Sequence, residues 1–312
     1  MKFNKTPKTE EKEKHRHKSI RFSCIIEECV TNELAYNRYN ASSLSGIIVT
    51  LCKVLTEDPT PLQKRALSYF RRNPVFNLLN DIEDVLDVKV VERYFEIFSD
   101  LFFFSSLKEH CEVNMSERQA VDVGHPGHCS PVRIERPRVS LQLAGMALQG
   151  HEHQEGVRIT LYRRDMDSRS RQERLTMYLG TMLHEMVHAF LNLWACHSRK
   201  CRARSFEKIG EFDHGVAWQE IAHAVETAAN SAELNLGLSL RRKSMLLSEV
   251  VKSKMELSEA IVLSEWGMDY AEVERELRSK KRSRHGEDVE ERGRSRYRSR
   301  GNVDENAQAH EN

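Results

Sequence analysis

From Arg171 to Ala195 apolar residues recur at helical spacing: Leu175, Leu179, Met182, Leu183, Met186, Val187, Phe190 and Trp194 fall at i, i+3, i+4 and i+7. That stripe predicts a helix with one face in a core, and Ser170 with Glu173 just ahead of it reads as a capping box. A second helical pattern, Val216, Ile221, Ala222 and Val225 with Trp218, follows a break from Cys196 to Asp213 that is rich in Ser, Arg and Lys. Upstream, Phe95, Ile97, Phe98, Leu101 and Phe102 give a predicted helix over Val91 to Leu107 its apolar face. Leu44, Ile47, Ile48, Leu51 and Leu55 predict another; Thr56 to Pro61 interrupts it, and Leu62 to Arg72 resumes the pattern. Alternation predicts two strands, at Val139, Leu141 and Leu143 and at Val157 to Tyr162, joined by a hairpin-like connection over Gly150 to Gly156. The segment Leu240 to Leu277 is helical in pattern again, notably at Met255, Leu257, Ile261, Val262 and Trp266. Helices around a small sheet place the chain in the α+β class.

The first of these helices carries chemistry. His184, Glu185 and His188 form an H-E-x-x-H motif. Four residues advance a helix by about 6 Å and a little over one turn, so both imidazoles leave one face and can reach one cation. The carboxylate of Glu185 then lies beside the metal, where it can take a proton from metal-bound water. The motif fixes only three residue types, and the packed stripe around it is what makes it specific. Gly180, one turn before His184, is expected to leave open space over the metal. A catalytic zinc takes three protein ligands and keeps one position open. The extended metzincin pattern would need Gly at 191 and His at 194, where this chain has Leu191 and Trp194. His214, in Asp213-His214-Gly215 at the start of the returning helix, is the better third ligand. Glu207, Glu211 and Glu226 fit by distance along the chain, and His197 and His223 remain competitors. Glu211, Asp213 and Glu226 are also candidates for orienting the imidazoles.

HEMVHAF, a cysteine-containing loop and then DHGVAW resemble the SprT-like metallopeptidases, the family that includes the Spartan proteases of DNA-protein crosslinks. The similarity extends to VERYFEIFSDLFFFSSL, which resembles the opening helix of such domains, and covers roughly residues 88 to 235. The resemblance implies a zincin-like domain with a small antiparallel sheet beside the H-E-x-x-H helix. It implies zinc held by His184, His188 and His214, with Glu185 as general base and later proton donor, and protein as substrate. The chain departs from the family in having no paired cysteine motif beyond Cys201, where relatives often carry a zinc ribbon. In zinc peptidases an edge strand beside the motif helix can pair with extended substrate backbone, and Val157 to Tyr162 is the expected edge.

Composition sets the surroundings of that domain. Residues 1 to 21 hold eight Lys/Arg against three Asp/Glu, and residues 278 to 300 hold ten against four; residues 301 to 312 contribute −3. The overall charge of +1 therefore leaves −7 for residues 22 to 277. Basic tails at 1–21 and 278–312 are too poor in apolar residues to pack, so disorder is expected; they read as nuclear-import or phosphate-contacting segments, which would allow DNA or chromatin contact, or as solubilising tails. Between them lie an accessory helical region at 22–87, the metallopeptidase domain at 88–235 and C-terminal helices at 236–277. No stretch is apolar enough for a membrane span, and the N-terminus lacks a secretory core, so nucleus or cytosol is expected, with the nucleus favoured. Seven cysteines without dense spacing fit a reducing compartment; Cys24, Cys29 and Cys52 read as small hydrophobes. Cys196 and Cys201 could form a further metal or redox pair with His197.

Two motifs carry alternatives. Gln63, Ala66, Tyr69 and Phe70 have the spacing of a sliding-clamp peptide, or are simply an amphipathic core face. His151 and His153 could ligate metal or be solvated in a polar loop. Two function classes follow: a zinc endopeptidase with Glu185 as general base, acting on DNA-bound or DNA-crosslinked proteins, or a noncatalytic nuclear interaction protein with a structural metal site.

Overall fold

A computed structural model describes residues 17–19, 34–78, 87–123, 125–137, 151–163, 170–198, 209–253 and 263–280. Asn40 accepts the Ser42 N–H and opens α1 (Ala41–Glu57), which buries Leu44, Ile47, Ile48, Leu51 and Leu55. Thr60 and Gln63 form a reciprocal capping box at the start of α2 (Pro61–Arg72), with Pro61 in the first turn where its missing N–H costs nothing. The Gln63 amide also donates to Leu51 O at 3.1 Å and Leu101 O at 2.8 Å. Gln63 and Ala66 are therefore core residues, and the clamp-peptide reading fails because its anchor is spent inside the fold.

Helix α3 (Asp87–Phe102) buries Val90, Val91, Tyr94, Phe95, Phe98, Leu101 and Phe102. It ends earlier than the apolar run that predicts it. Phe104 and Ser105 take left-handed φ values of 41° and 64°, and the chain turns while Phe103, Phe104 and Leu107 stay buried. The chain continues through β1 (Cys111–Gln119), a helical turn α4 (Ala120–Val123), β2 (Gly127–Pro137) and β3 (His151–Arg163).

The strand order is β1-β3-β2, with β1 parallel and β2 antiparallel to β3. The sheet is thus mixed and not antiparallel throughout, since β3 returns between its two predecessors and apolar alternation carries no information on pairing direction. For the same reason Val157 to Tyr162 is not an edge: it belongs to the central strand, and β2 is an edge strand among the described residues. Residues 151–156 are the first half of β3, where His151 pairs with Pro137 and His153 with Glu135, so the expected hairpin connection there is strand. The predicted strand at Val139, Leu141 and Leu143 lies outside the described residues.

Val157, Ile159 and Leu161 bury one face of β3 against α5 (Arg171–Trp194), which starts at the Ser170–Glu173 capping box read from the sequence. Helix α6 (Val216–Ala229) returns beside it and is covered by α1. One core extends from Tyr39 to Leu240, crossing the boundary drawn at residues 87 and 88. A second cluster, built on Leu246, Leu247, Val250, Trp266, Val273 and Leu277, joins α7 (Arg242–Lys252) to a 3-10 turn at Leu263–Trp266 and a helical stretch over 270–280. The fold is a mixed α+β arrangement with a three-stranded sheet. No described helix is long and apolar enough to cross a membrane. Both expected tails fall almost wholly outside the described residues; of their basic runs, Arg278 belongs to the 270–280 helix and pairs with Glu274.

Candidate metal centre

His184 and His188 stand one turn apart on α5, and His214 comes from the turn that precedes α6. Their Nε2 atoms lie 3.1 Å (184 to 188), 3.1 Å (188 to 214) and 3.3 Å (184 to 214) apart. Donors about 2.0–2.1 Å from a tetrahedral ion sit about 3.3–3.4 Å from one another. The three histidines are therefore close enough to bind a metal ion, and no other group of three His, Cys, Asp or Glu among the described residues is.

The imidazoles are held from behind. Nδ1–H of His184 donates to Leu240 O at 3.0 Å, which leaves the Nε2 lone pair facing the cluster. The Leu240 N–H in turn donates to Glu226 at 2.6 Å, and Arg242 pairs with the same carboxylate at 3.0 Å. Trp218 lies against all three rings, with centroids 4.7, 5.5 and 4.8 Å from those of His184, His188 and His214. Burial pushes each imidazole below its ordinary range: His184 to about 4, His214 to about 3 and His188 well below, neighbouring imidazoles adding to the effect on the last two. Neutral imidazole is the ligating form, so the donor set fits a cation.

The space over Gly180 is not open. Segment Leu238–Arg241 crosses there, and a Cβ on Gly180 would lie 2.8 Å from Ser239 O. Glycine lets that segment approach closely enough to present Leu240 O to His184. The remaining ligand candidates lie elsewhere: His197 faces Asn192 O at 3.0 Å, His223 faces Thr227 on the outer side of α6, Glu226 holds Leu240 and Arg242, and Glu211 is exposed and does not join the three histidines. Glu207 lies outside the described residues. Cys196 is buried beside Tyr39, whose carbonyl accepts its N–H at 2.8 Å, and Cys201 lies outside the described residues.

A cavity of about 340 Å³ opens at the cluster, with Glu185, Cys129, His128, Met245, Arg241 and Phe212 on its walls. Glu185 is buried, and burial raises its carboxyl to about 8. Cys129 is also raised, to about 12, by burial first and then by the carboxylates of Glu185 and Asp213, so its thiol is no nucleophile. Sequence reading missed Glu249, which accepts three N–H groups of the His214 turn. Its signal was present in Leu246-Leu247-Ser248-Glu249-Val250-Val251, where a carboxylate falls three residues after Leu246 on the apolar side of the helix.

Comparison of this chain with protein-family models, with curated proteins and with solved structures finds no match.

Proposed function

We propose that this chain is a zinc-dependent endopeptidase with a zincin-like catalytic domain, related to the SprT-like peptidases. The observation that carries the reading is the convergence of three Nε2 atoms within 3.3 Å at the wall of a cavity that also holds the Glu185 carboxyl. Zinc bound by His184, His188 and His214 would supply a Lewis acid that polarises a carbonyl and acidifies water. Glu185 then takes the proton of the attacking water and delivers it to the leaving amine; a neighbouring dication favours its carboxylate form, reversing the effect of burial. A structural site ordinarily closes with four protein ligands, and among the described residues no fourth His, Cys, Asp or Glu joins the three. That favours the peptidase over a noncatalytic interaction protein.

The edge of β2 supports an extended polypeptide as substrate. Tyr162 N–H donates to Pro126 O at 2.9 Å, so in antiparallel register the 128 and 130 positions bond inward and the backbone groups of Gly127 and Cys129 point outward beside the cluster. Two residues on, Pro131 offers no N–H, limiting the run of donors. Strand addition at Gly127 and Cys129 binds main chain and leaves sequence selectivity to the cavity. The basic tails would bring such a protease to DNA-bound proteins.

The test is Glu185→Gln. Zinc content is expected to remain at the wild-type level while cleavage of a DNA-crosslinked protein falls about 10²- to 10⁴-fold. Undiminished cleavage removes the mechanism. Running both proteins with and without free DNA separates the DNA-directed role from the peptidase: equal wild-type cleavage without DNA discards the former alone.

A further inference from the structure

His214 reaches the cluster from a turn, and that turn closes around a carboxylate supplied by a different part of the chain. Gly215 N–H donates to Ile209 O at 2.7 Å, folding 209–215 back on itself. Inside the fold-back sits Glu249 of α7. Its Oε1 accepts from Glu211 N at 2.6 Å, and its Oε2 accepts from Phe212 N at 3.1 Å and His214 N at 3.3 Å. Two residues take left-handed backbone to make this possible, Gly210 at φ 91° and Asp213 at φ 64°. A Cβ on Gly210 would lie 2.7 Å from Glu249 Oε1 and 2.6 Å from Gly215 N, so the turn wraps too closely for any other residue.

Convergent N–H groups of this kind make an anion nest, and here the anion belongs to the protein. Glu249 has no measurable exposure. A buried carboxylate without these donors, or these donors without a carboxylate, would leave polar groups unsatisfied, so each holds the other in place. The helix that carries Glu249 is anchored mainly through Leu246, Leu247 and Val250 in the second apolar cluster, with Trp266 and Val273, while Met245 alone of its side chains packs against the main core. The position of the third imidazole is therefore set by a unit that contributes no ligand.

We infer that Glu249 is the positioning residue for His214 and that α7, with the Leu263–Trp266 turn and the 270–280 helix packed on it, is through it an integral part of the metal centre. The inference rests on the metal-binding part of the reading above and is independent of peptidase chemistry.

Co²⁺ and Zn²⁺ alone are the probes, with Co²⁺ visible absorption reporting the ligand set and chelator competition giving Zn²⁺ affinity. Glu249→Gln is expected to weaken Zn²⁺ binding about 10- to 100-fold and to shift the Co²⁺ spectrum to that of His214→Ala. Adding Glu249→Gln to His214→Ala is expected to cost nothing further, which a merely structural residue would not produce. Gly210→Ala attacks the same contact from the turn and leaves α7 untouched; it decides the matter should Glu249→Gln not fold, and the same spectral change is expected. Wild-type affinity in either single variant, or full additivity in the double variant, overturns the inference while leaving the metal centre standing. Failure of the wild type to bind either ion overturns both.

Discussion

Glu185 ionises near 4.5 in an unfolded chain, whereas burial in the metal-free protein raises its carboxyl to about 8. Between those values the folded state binds the extra proton, so this residue makes stability fall as pH rises from about 4.5 to 8. Glu185→Gln has no such dependence. In chelator-treated protein the variant is expected to melt above wild type at pH 8, with the difference closing towards pH 5; a gap independent of pH would show that the carboxyl is not held protonated. His184 and His214 act in the opposite sense. Their folded values near 4 and 3 lie below the ordinary 6.5, so metal-free stability falls as pH drops from about 6.5 towards 4. That His184, His188 and His214 come together was legible, the first two from the motif and its helical stripe and the third from Asp213-His214-Gly215 at the start of the returning helix, because periodicity and ligand chemistry are local properties. Gly180 was misread, since nothing in the sequence says which distant segment will lie over a glycine. Replacing it with Ala favours the helix by about 1 kcal/mol but meets Ser239 O at 2.8 Å, an overpacking that costs about 1–3 kcal/mol. Net destabilisation of about 1 kcal/mol in urea titration is expected, with weaker metal binding as the Leu240 carbonyl shifts; a stabilised protein would contradict the packing.

Helix starts were more readable than strand partners. Ser170 with Glu173, read from the sequence, and Thr60 with Gln63, seen first in the fold, each satisfy N-terminal donors within four residues, so their geometry depends on adjacent sequence alone. Pairing in the sheet depends on segments up to 46 residues apart, as for Glu112 and Arg158, and the alternation at Val157 to Tyr162 recorded burial without recording a central position. Gln63 joins the two kinds of information. Its cap role is local, while the bonds from its amide to Leu51 and Leu101 tie α1 to α3. Gln63→Ala removes both and leaves the buried Leu101 carbonyl short of a donor, Leu51 O keeping its bond within α1, for which about 1–3 kcal/mol is expected. Urea unfolding measures it; a loss below 1 kcal/mol would mean that water replaces the amide.

At the scale of the molecule, a metal that binds only the folded chain adds stability by mass action, about 2.7 kcal/mol when free ion stands at 100 times Kd. Chelation is therefore expected to lower the melting temperature in wild type and leave a His184→Ala, His188→Ala double variant unchanged; an equal fall in both would place the stabilising ion elsewhere. The domain limits read from the sequence followed the motif and its resemblance, and the packing runs past them. Helix α1 covers α6, and the turn before it bonds the last carbonyls of α5, with Asn37 N–H on Leu193 O and Tyr39 N–H on Trp194 O, both at 3.0 Å. An excised fragment that began at residue 88 would expose the apolar back of α6 to water and strip the partners from the end of the histidine helix. Anyone preparing a minimal folded piece that carries the three histidines should start it before Leu34, and a shorter one is expected to precipitate.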